Sequence, residues 1–395
     1  MKAADRLLTF LNWFGAGLFT PVLALMLLER GCTLETLPLV MACYSAVVIL
    51  CEVPSGVFAD MAGRKRTFLL SCSLYGAALV CIFFAHSVWG LIPGFLLYGA
   101  ARAFSSGTLD ALFVEAALRQ GGPDALSTVT AQLSLWQTLG LTAGAIVGGL
   151  LPGWQGYSFH LLARLGLLAA VALLCALLVH EAREEGRAAR TSLRAYLAQG
   201  VDIVRRNRAL SGLLLGFLSG GVLLGLIEIY WQPTYVAMAT PAERPLLGAV
   251  SAAGFLVCTL GNLAIRRISR LAGEREWGVY LLLRVALTAL VGFFALQSRV
   301  PAFVAGYLGI YLVVGGSDVM EQTLLNRMVP DAQRAGFLSM ASLFAQLGGL
   351  GAGCAAGLSI NTLGVPGLLL CGGAVVLLCA AGTAVLRRNK RTRAA

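Results

Sequence analysis

The sequence predicts an all-α membrane protein: twelve transmembrane helices arranged as two pseudo-symmetric six-helix bundles. Three observations carry this. First, 58% of the 395 residues are hydrophobic and only 12% are charged, with a mean hydropathy of +0.80. A soluble domain carries about 25% charge, so this composition excludes a disordered chain, a disulfide scaffold and an ordinary cytosolic enzyme. Second, the chain contains twelve apolar runs of membrane-crossing length. Third, its two halves resemble each other at an offset near 209 residues.

A membrane helix needs about 20 mostly apolar residues. The runs that qualify are 6–28, 34–58, 67–87, 88–118, 127–151, 158–180, 209–232, 246–266, 277–298, 300–325, 335–358 and 364–386. Lys2 and Arg6 give span 1 the look of a signal peptide, but no small-residue cleavage site follows. In Glu29-Arg30-Gly31-Cys32, Arg30 stands where a lipobox needs a small residue, so span 1 is expected to be retained. Span 2 carries Glu52 and Pro54 near its end, and Gly63-Arg64-Lys65-Arg66 separates it from span 3. Span 4 contains Arg102 and Asp110, and span 5 is glycine-rich. Span 6 begins with His160 and Arg164, which share one face.

Residues 181–208 form the longest polar interruption and divide the chain into an N-terminal bundle (1–180), a linker and a C-terminal bundle with a basic tail (209–395). Within the linker, 191–206 reads as either a basic surface helix or a solvated connection. Span 7 carries Glu228, span 9 Arg284, and span 10 Asp318 and Glu321; span 11 repeats the glycines of span 5, and span 12 runs into the basic tail.

The basic residues set the direction. Of 30 Lys and Arg, only Arg30, Arg244 and Arg299 fall on one side, Arg102, Arg164 and Arg284 lie within spans, and the other 24 share the opposite side. The positive-inside rule places both termini in the cytoplasm. The formal charge of +11 is then a topology signal that meets anionic lipid, not a nucleic-acid surface. The sequence contains no N-x-[ST] site, in keeping with a bacterial inner membrane, and a monomer is expected. Most of the ten cysteines sit inside apolar runs and no C-x-x-C pair occurs, so they read as small buried hydrophobes. His86, His160 and His180 are too scattered for a metal site. No metal or cofactor is expected.

The repeat is specific. Gln137, Gly140, Ala143, Gly144 and Gly148 in span 5 recur as Gln346, Gly349, Ala352, Gly353 and Gly357 in span 11. Small residues at this spacing let helices approach closely. Gly63-Arg64-Lys65 similarly matches Gly273-Glu274-Arg275.

After span 2 the chain reads Gly56-Val-Phe-Ala-Asp60-Met-Ala-Gly63-Arg64-Lys65-Arg66. This resembles the signature loop of the major facilitator superfamily, G-x-x-x-D-x-x-G-R-K/R. With the spans, the repeat and the middle loop, the resemblance covers the whole chain. It implies alternating access around a site near the bilayer midplane. It makes span 6 a peripheral span, so Arg164 at its outer end is expected to snorkel to the lipid headgroups. It also implies a lock built from Gly56, Asp60, Gly63, Arg64 and Lys65, with the glycines making a tight turn between packed helices. Asp60 would face the start of span 11 near Gly336, and Arg64 would reach Asp110 or Glu115. Gly140-x-x-x-Gly144-Ala145-x-x-Gly148-Gly149 resembles the antiporter motif of the family's exporters, with Ala145 in place of proline.

Ionisable groups at bilayer depth are costly and so are functional candidates. Arg102 is the first choice for a functional cation; the four-residue spacing of Arg102, Ser106 and Asp110 predicts one helix face. Glu52 and Asp110 are expected to join one network with Arg64. Arg284 and Asp318 are expected to pair. Glu228 has no basic neighbour in sequence, and a carboxylate in apolar surroundings can exchange a proton near neutrality; it is the first candidate for a proton or cationic-substrate site. Gln132 and Trp136 on span 5, Tyr311 on span 10 and Gln346 on span 11 are candidate cavity residues.

No G-x-x-x-x-G-K-[ST] loop is present and the lysines are Lys2, Lys65 and Lys390 alone, which excludes ATP-driven transport by this chain by itself. No G-x-S-x-G or H-E-x-x-H motif suggests an enzyme. The leading expectation is a secondary active exporter that expels a small amphipathic compound in exchange for protons. The alternatives are a facilitator or symporter importing a polar metabolite, and a non-transporting membrane protein.

Overall fold

The computed structural model describes residues 1–122, 124–181, 207–329 and 334–394. Residues 182–206 of the expected linker, including its possible surface helix 191–206, lie outside the described residues. Among those described there is no strand.

Helix α1 (Ala3–Phe19) starts where the Lys2 backbone N–H donates to Asp5 Oδ2 at 2.9 Å. It passes through a 3₁₀ turn, Thr20–Val22, into α2 (Leu23–Glu29). Pro21 lacks the N–H that an unbroken α-helix would need there. Helix α3 spans Leu37–Ala62, α4 Arg64–Phe84, α5 Val88–Ser105 and α6 Thr108–Gly121. Helix α7 (Ala125–Leu178) runs 54 residues and is interrupted at Gly156, φ 72° and ψ −178°. In the second half come α8 (Arg208–Met238), α9 (Leu247–Ala272), α10 (Glu276–Ala295), α11 (Val300–Met328) and α12 (Arg334–Ala394). Helix α12 runs 61 residues and is interrupted at Gly364, φ 63° and ψ 176°. That backbone conformation is open essentially to glycine alone, so the two breaks fall where the sequence has a residue able to make them.

Among the described residues, nine helices are long and apolar enough to cross a membrane. Two of these, α7 and α12, are double-length and broken in the middle. Together α5 and α6 make one further span, so the elements agree with the twelve apolar runs. One expectation is corrected here. Span 4 is not a single helix, because it breaks at Ser106-Gly107, where Gly107 takes φ 66°. Arg102, Ser106 and Asp110 therefore do not lie on one continuous helix face.

The chain divides into two compact units, Met1–Ala188 with Ala239–Phe255, and Ala189–Met238 with Leu256–Ala395. The first unit thus takes the opening turns of α9, which the sequence had assigned to the C-terminal bundle. Each unit has its own apolar core. Leu8, Phe68, Leu112, Phe113, Val129 and Val171 build one; Leu213, Ile265, Tyr280, Met320, Leu324 and Phe337 build the other. Many large apolar side chains face outward, among them Leu50, Phe84, Leu271, Leu358 and Leu378. Water would oppose such a surface and a bilayer accepts it. All ten cysteines are free.

The same helix pairing recurs inside each unit. In the first, Gly140, Gly144 and Gly148 of α7 lie against the backbone carbonyls of Phe10, Phe14 and Leu18 on α1. In the second, Gly348 of α12 lies against the Leu218 carbonyl of α8, and Gly221 of α8 against the Ala345 carbonyl. The closest approach on α12 thus comes one residue before Gly349, while Gly353 is buried and Gly357 half-buried.

Candidate functional site

The signature loop is held from within the first unit. Gly63 takes φ 92°, which ends α3 and turns the chain into α4. The first two amides of α4 are then captured by one carboxylate. Arg64 N–H donates to Glu181 Oε1 at 2.7 Å and Lys65 N–H to Glu181 Oε2 at 3.1 Å. Lys65 Nζ donates to the Ala176 carbonyl at 2.7 Å. These are the free N–H groups of a helix start, where an anion is favoured. A side chain on residue 63 would run into the Glu181 carboxylate. The sequence reading missed Glu181, because nothing in the spacing ties the end of span 6 to the loop before span 3.

Of the two acids left open for Arg64, the structure gives Glu115, at 2.7 Å. Asp110 instead accepts from Gln137 Nε2 at 3.0 Å, so the expected single network of Glu52, Asp110 and Arg64 does not form. Gly56 has open space around the position of a side chain, so it does not serve close packing. Asp60 is exposed. The second unit has a matching pair with its signs exchanged: Glu276 at the start of α10 meets Arg327 at the end of α11 at 2.7 Å. Each member of this pair lies at the same offset from its counterpart, Glu276 from Arg64 and Arg327 from Glu115.

Arg102 sits at the centre of a tyrosine cluster that the sequence reading did not foresee. Tyr44, Tyr75 and Tyr98 are all close enough to act on its charge. The Tyr75 and Tyr98 rings are 5.0 Å apart and the Tyr44 and Tyr98 rings 5.7 Å. Arg102 nevertheless keeps much of its accessible surface. Glu52 and Asp110 act on it electrostatically, but among the described residues no acid forms an ion pair with it. The one signal in the sequence was Tyr98, four residues before Arg102 and so on the same helix face.

Tyr98 also joins this cluster to a second cation. Arg164 Nη2 donates to the Tyr98 hydroxyl at 2.9 Å and Nη1 to the Gly15 carbonyl at 2.5 Å, with its guanidinium 4.3 Å from the Phe19 ring centroid. Arg164 is 9% exposed and His160 is fully buried, its Nε2 2.8 Å from the Leu18 carbonyl oxygen. The expectation that Arg164 snorkels to headgroups is therefore corrected: aromatic faces and carbonyls satisfy it inside the bundle.

In the second unit, the ion pair of Arg284 is with Glu321, not with Asp318 as expected. Both partners are nearly fully buried. Asp318 lies near enough to act on Arg284 electrostatically, but it keeps accessible surface. Glu228 is half-buried and accepts a short hydrogen bond from the Tyr311 hydroxyl; the Trp231 side chain, three residues on, also faces it. Tyr311 stacks on Tyr307 (4.6 Å) and Tyr307 on Trp231 (4.7 Å). These three rings are buried, so they brace the acid and do not offer a face to a solute. Among the described residues no base pairs with Glu228.

Gln132 lines an open cavity of about 420 Å³ in the first unit, with Ser127, Thr128, Ala131 and Leu135. Trp136 instead packs edge-on against Phe10 at 6.3 Å. Gln346 is half-buried. Among the described residues no group of His, Cys, Asp and Glu could hold a metal ion.

The sequence model of the Major Facilitator Superfamily matches residues 7–241, more than half of the chain. An uncharacterized MFS-type transporter of Methanocaldococcus jannaschii is 23% identical over 165 residues, which is 41% of this chain and 42% of that relative. The match therefore spans less than half the length of the relative. Among solved structures, the nucleoside transporter NupG superposes with a TM-score of 0.81 at 15% identity, covering 97% of this chain and 98% of its own. A mutant of the same transporter superposes with a TM-score of 0.84 at 14% identity. A bacterial homolog of the human lysosomal transporter Spinster, inward-facing and unoccupied, superposes with a TM-score of 0.69 at 14% identity, covering 97% and 94%. At these identities the likeness is one of fold.

Proposed function

The chain belongs to the Major Facilitator Superfamily, and from that premise we propose that it is a proton-coupled symporter of a small polar solute, with Glu228 as the proton-exchanging group. The chain is a membrane transporter and not an enzyme. Direction, coupling and cargo are the content of the proposal.

The observation that carries it is the environment of Glu228. A carboxylate whose hydrogen-bond donor is a neutral phenol, in an otherwise apolar stretch of α8, has no counter-ion among the described residues to keep it charged. It can take up a proton and become neutral, or lose it and be stabilised by the Tyr311 hydroxyl. Arg284 and Glu321 are the opposite case: two charges that satisfy each other out of reach of water, and so belong to the scaffold.

Two observations favour a polar solute. Arg102 and Asp318, one in each unit, keep accessible surface although both lie in membrane-crossing segments. The cavity beside Gln132 offers two hydroxyls and an amide. The export reading rested on the glycines of span 5, and packing against α1 accounts for those. One structural neighbour is named a nucleoside transporter, which is a carrier of polar solutes.

The test uses purified protein in proteoliposomes with an entrapped pH dye. A transported solute is expected to carry protons inward with it. Glu228→Gln should abolish uphill uptake driven by a pH gradient and spare solute exchange at equal pH. Loss of both activities in a folded variant would assign Glu228 to binding alone. Normal gradient-driven uptake by the variant would refute its coupling role.

A further inference from the structure

We propose that Arg102, with the hydroxyls of Tyr44 and Tyr75, forms a subsite for an anionic group, so that the solute carries a carboxylate or a phosphate. The inference rests on the transport reading and names the chemistry of its cargo.

A guanidinium has five N–H donors and no acceptor, and its planar fork matches carboxylate and phosphate oxygens. Arg102 has Tyr44 beside it and forms no ion pair among the described residues. Most of its donors are therefore uncommitted to protein, while its surface remains accessible. A cation kept at this depth without a carboxylate is costly and gains from an anion that arrives with the solute.

The phenols add to this. The Tyr44 hydroxyl lies beside the Arg102 guanidinium, where it can turn its oxygen to the cation and its O–H to a third group. Tyr98 is in the same position, since its oxygen accepts from Arg164. The Tyr75 hydroxyl has only a 3.5 Å contact, with Ser105 Oγ. Phenols whose oxygens are engaged by guanidinium groups are donors to anything placed beyond them. Arg164 is buried, so it polarises Tyr98 and does not itself reach a solute. Glu52 and Asp110 oppose an anion electrostatically. Asp110 is half-buried and already engaged by Gln137, and neither acid forms an ion pair with Arg102 among the described residues. In proton symport, a monoanion carried with one proton crosses without net charge, which suits the exchange assigned to Glu228.

The experiment is thermal stability of the full-length purified protein at constant ionic strength, with three probes of one shape: benzoate, phenyl phosphate and the neutral isostere benzamide. At least one anion is expected to raise the melting temperature in a saturable way, with benzamide inactive. The better of the two anions tells carboxylate from phosphate. Tyr44→Phe and Tyr75→Phe should each weaken the anion about fivefold, Arg102→Gln should abolish the effect, and Arg102→Lys should retain part of it. Equal stabilisation by benzamide, no stabilisation by either anion, or an unchanged response in Arg102→Gln would overturn the proposal. If Arg102→Gln does not fold, the comparison of anion with benzamide on the unaltered protein, and on Tyr75→Phe, still decides. Anion binding without gradient-driven flux would count against the symport reading and leave the subsite standing.

Discussion

Arg284 and Arg102 are both guanidiniums within membrane-crossing helices, and they differ in what surrounds them. Arg284 is buried against Glu321, so removing either charge strands the other in a medium that cannot solvate it. Breaking such a pair costs about 3–5 kcal/mol. Glu321→Gln is therefore expected to lower the thermal stability of the solubilised protein sharply, and Asp318→Asn to leave it nearly unchanged. A comparable loss in both variants would mean that Asp318 shares the pair. The sequence placed Arg284 beside an acid but picked the wrong one. Residues 318 and 321 are one turn apart on the same helix, and spacing alone does not say which of them points at a neighbouring helix. The tyrosines show the same limit. Tyr98 was readable as the helix neighbour of Arg102, whereas Tyr44 and Tyr75 arrive from other helices and leave no trace in local spacing. Glu228 was legible as a candidate because it stands alone in an apolar run, a property of the sequence itself.

Among the elements, glycine decides both the breaks and the close contacts. The existence and order of the apolar helices followed from hydropathy, since length and composition alone set the cost of crossing lipid. The breaks were harder to see, because Gly107, Gly156 and Gly364 look like their neighbours in a glycine-rich sequence until the backbone shows positive φ. The glycines of α7 were legible as close-approach positions, whereas on α12 the close approach falls at Gly348, one residue before the repeated Gly349. Gly144 and Gly348 are each set against a carbonyl, an atom that cannot move aside as a flexible side chain can. Gly144→Ala and Gly348→Ala, one in each unit, should each destabilise the protein by about 1–3 kcal/mol, as read by thermal unfolding. Gly166→Ala, where the structure leaves open space, should be neutral or slightly stabilising. If all three behaved alike, close helix approach would not explain these glycines. The two ion pairs of opposite sense, Arg64–Glu115 and Glu276–Arg327, show that the repeat has kept a position while exchanging its charges. Both arginines are partly exposed, so the strength of the pairs is modest; they tie the third span of each repeat to its fourth.

For the whole molecule, two units with separate apolar cores can each keep their packing through a transport cycle. The family, the fold and the membrane setting were all readable from composition, the signature loop and the repeat, because these are properties of the whole chain. Cargo and coupling were not, since they depend on a few side chains brought together from distant positions. Coupling of solute movement to protons can be measured directly. Proteoliposomes containing the purified protein, with no nucleotide present, are loaded with the anion that best stabilises it, and the sign of an imposed pH gradient is then reversed. The net flux of that solute should follow the inward proton gradient uphill and reverse when the gradient is reversed. A flux that runs only down the solute's own gradient, or that runs against the proton movement, would contradict the symport assigned to this chain.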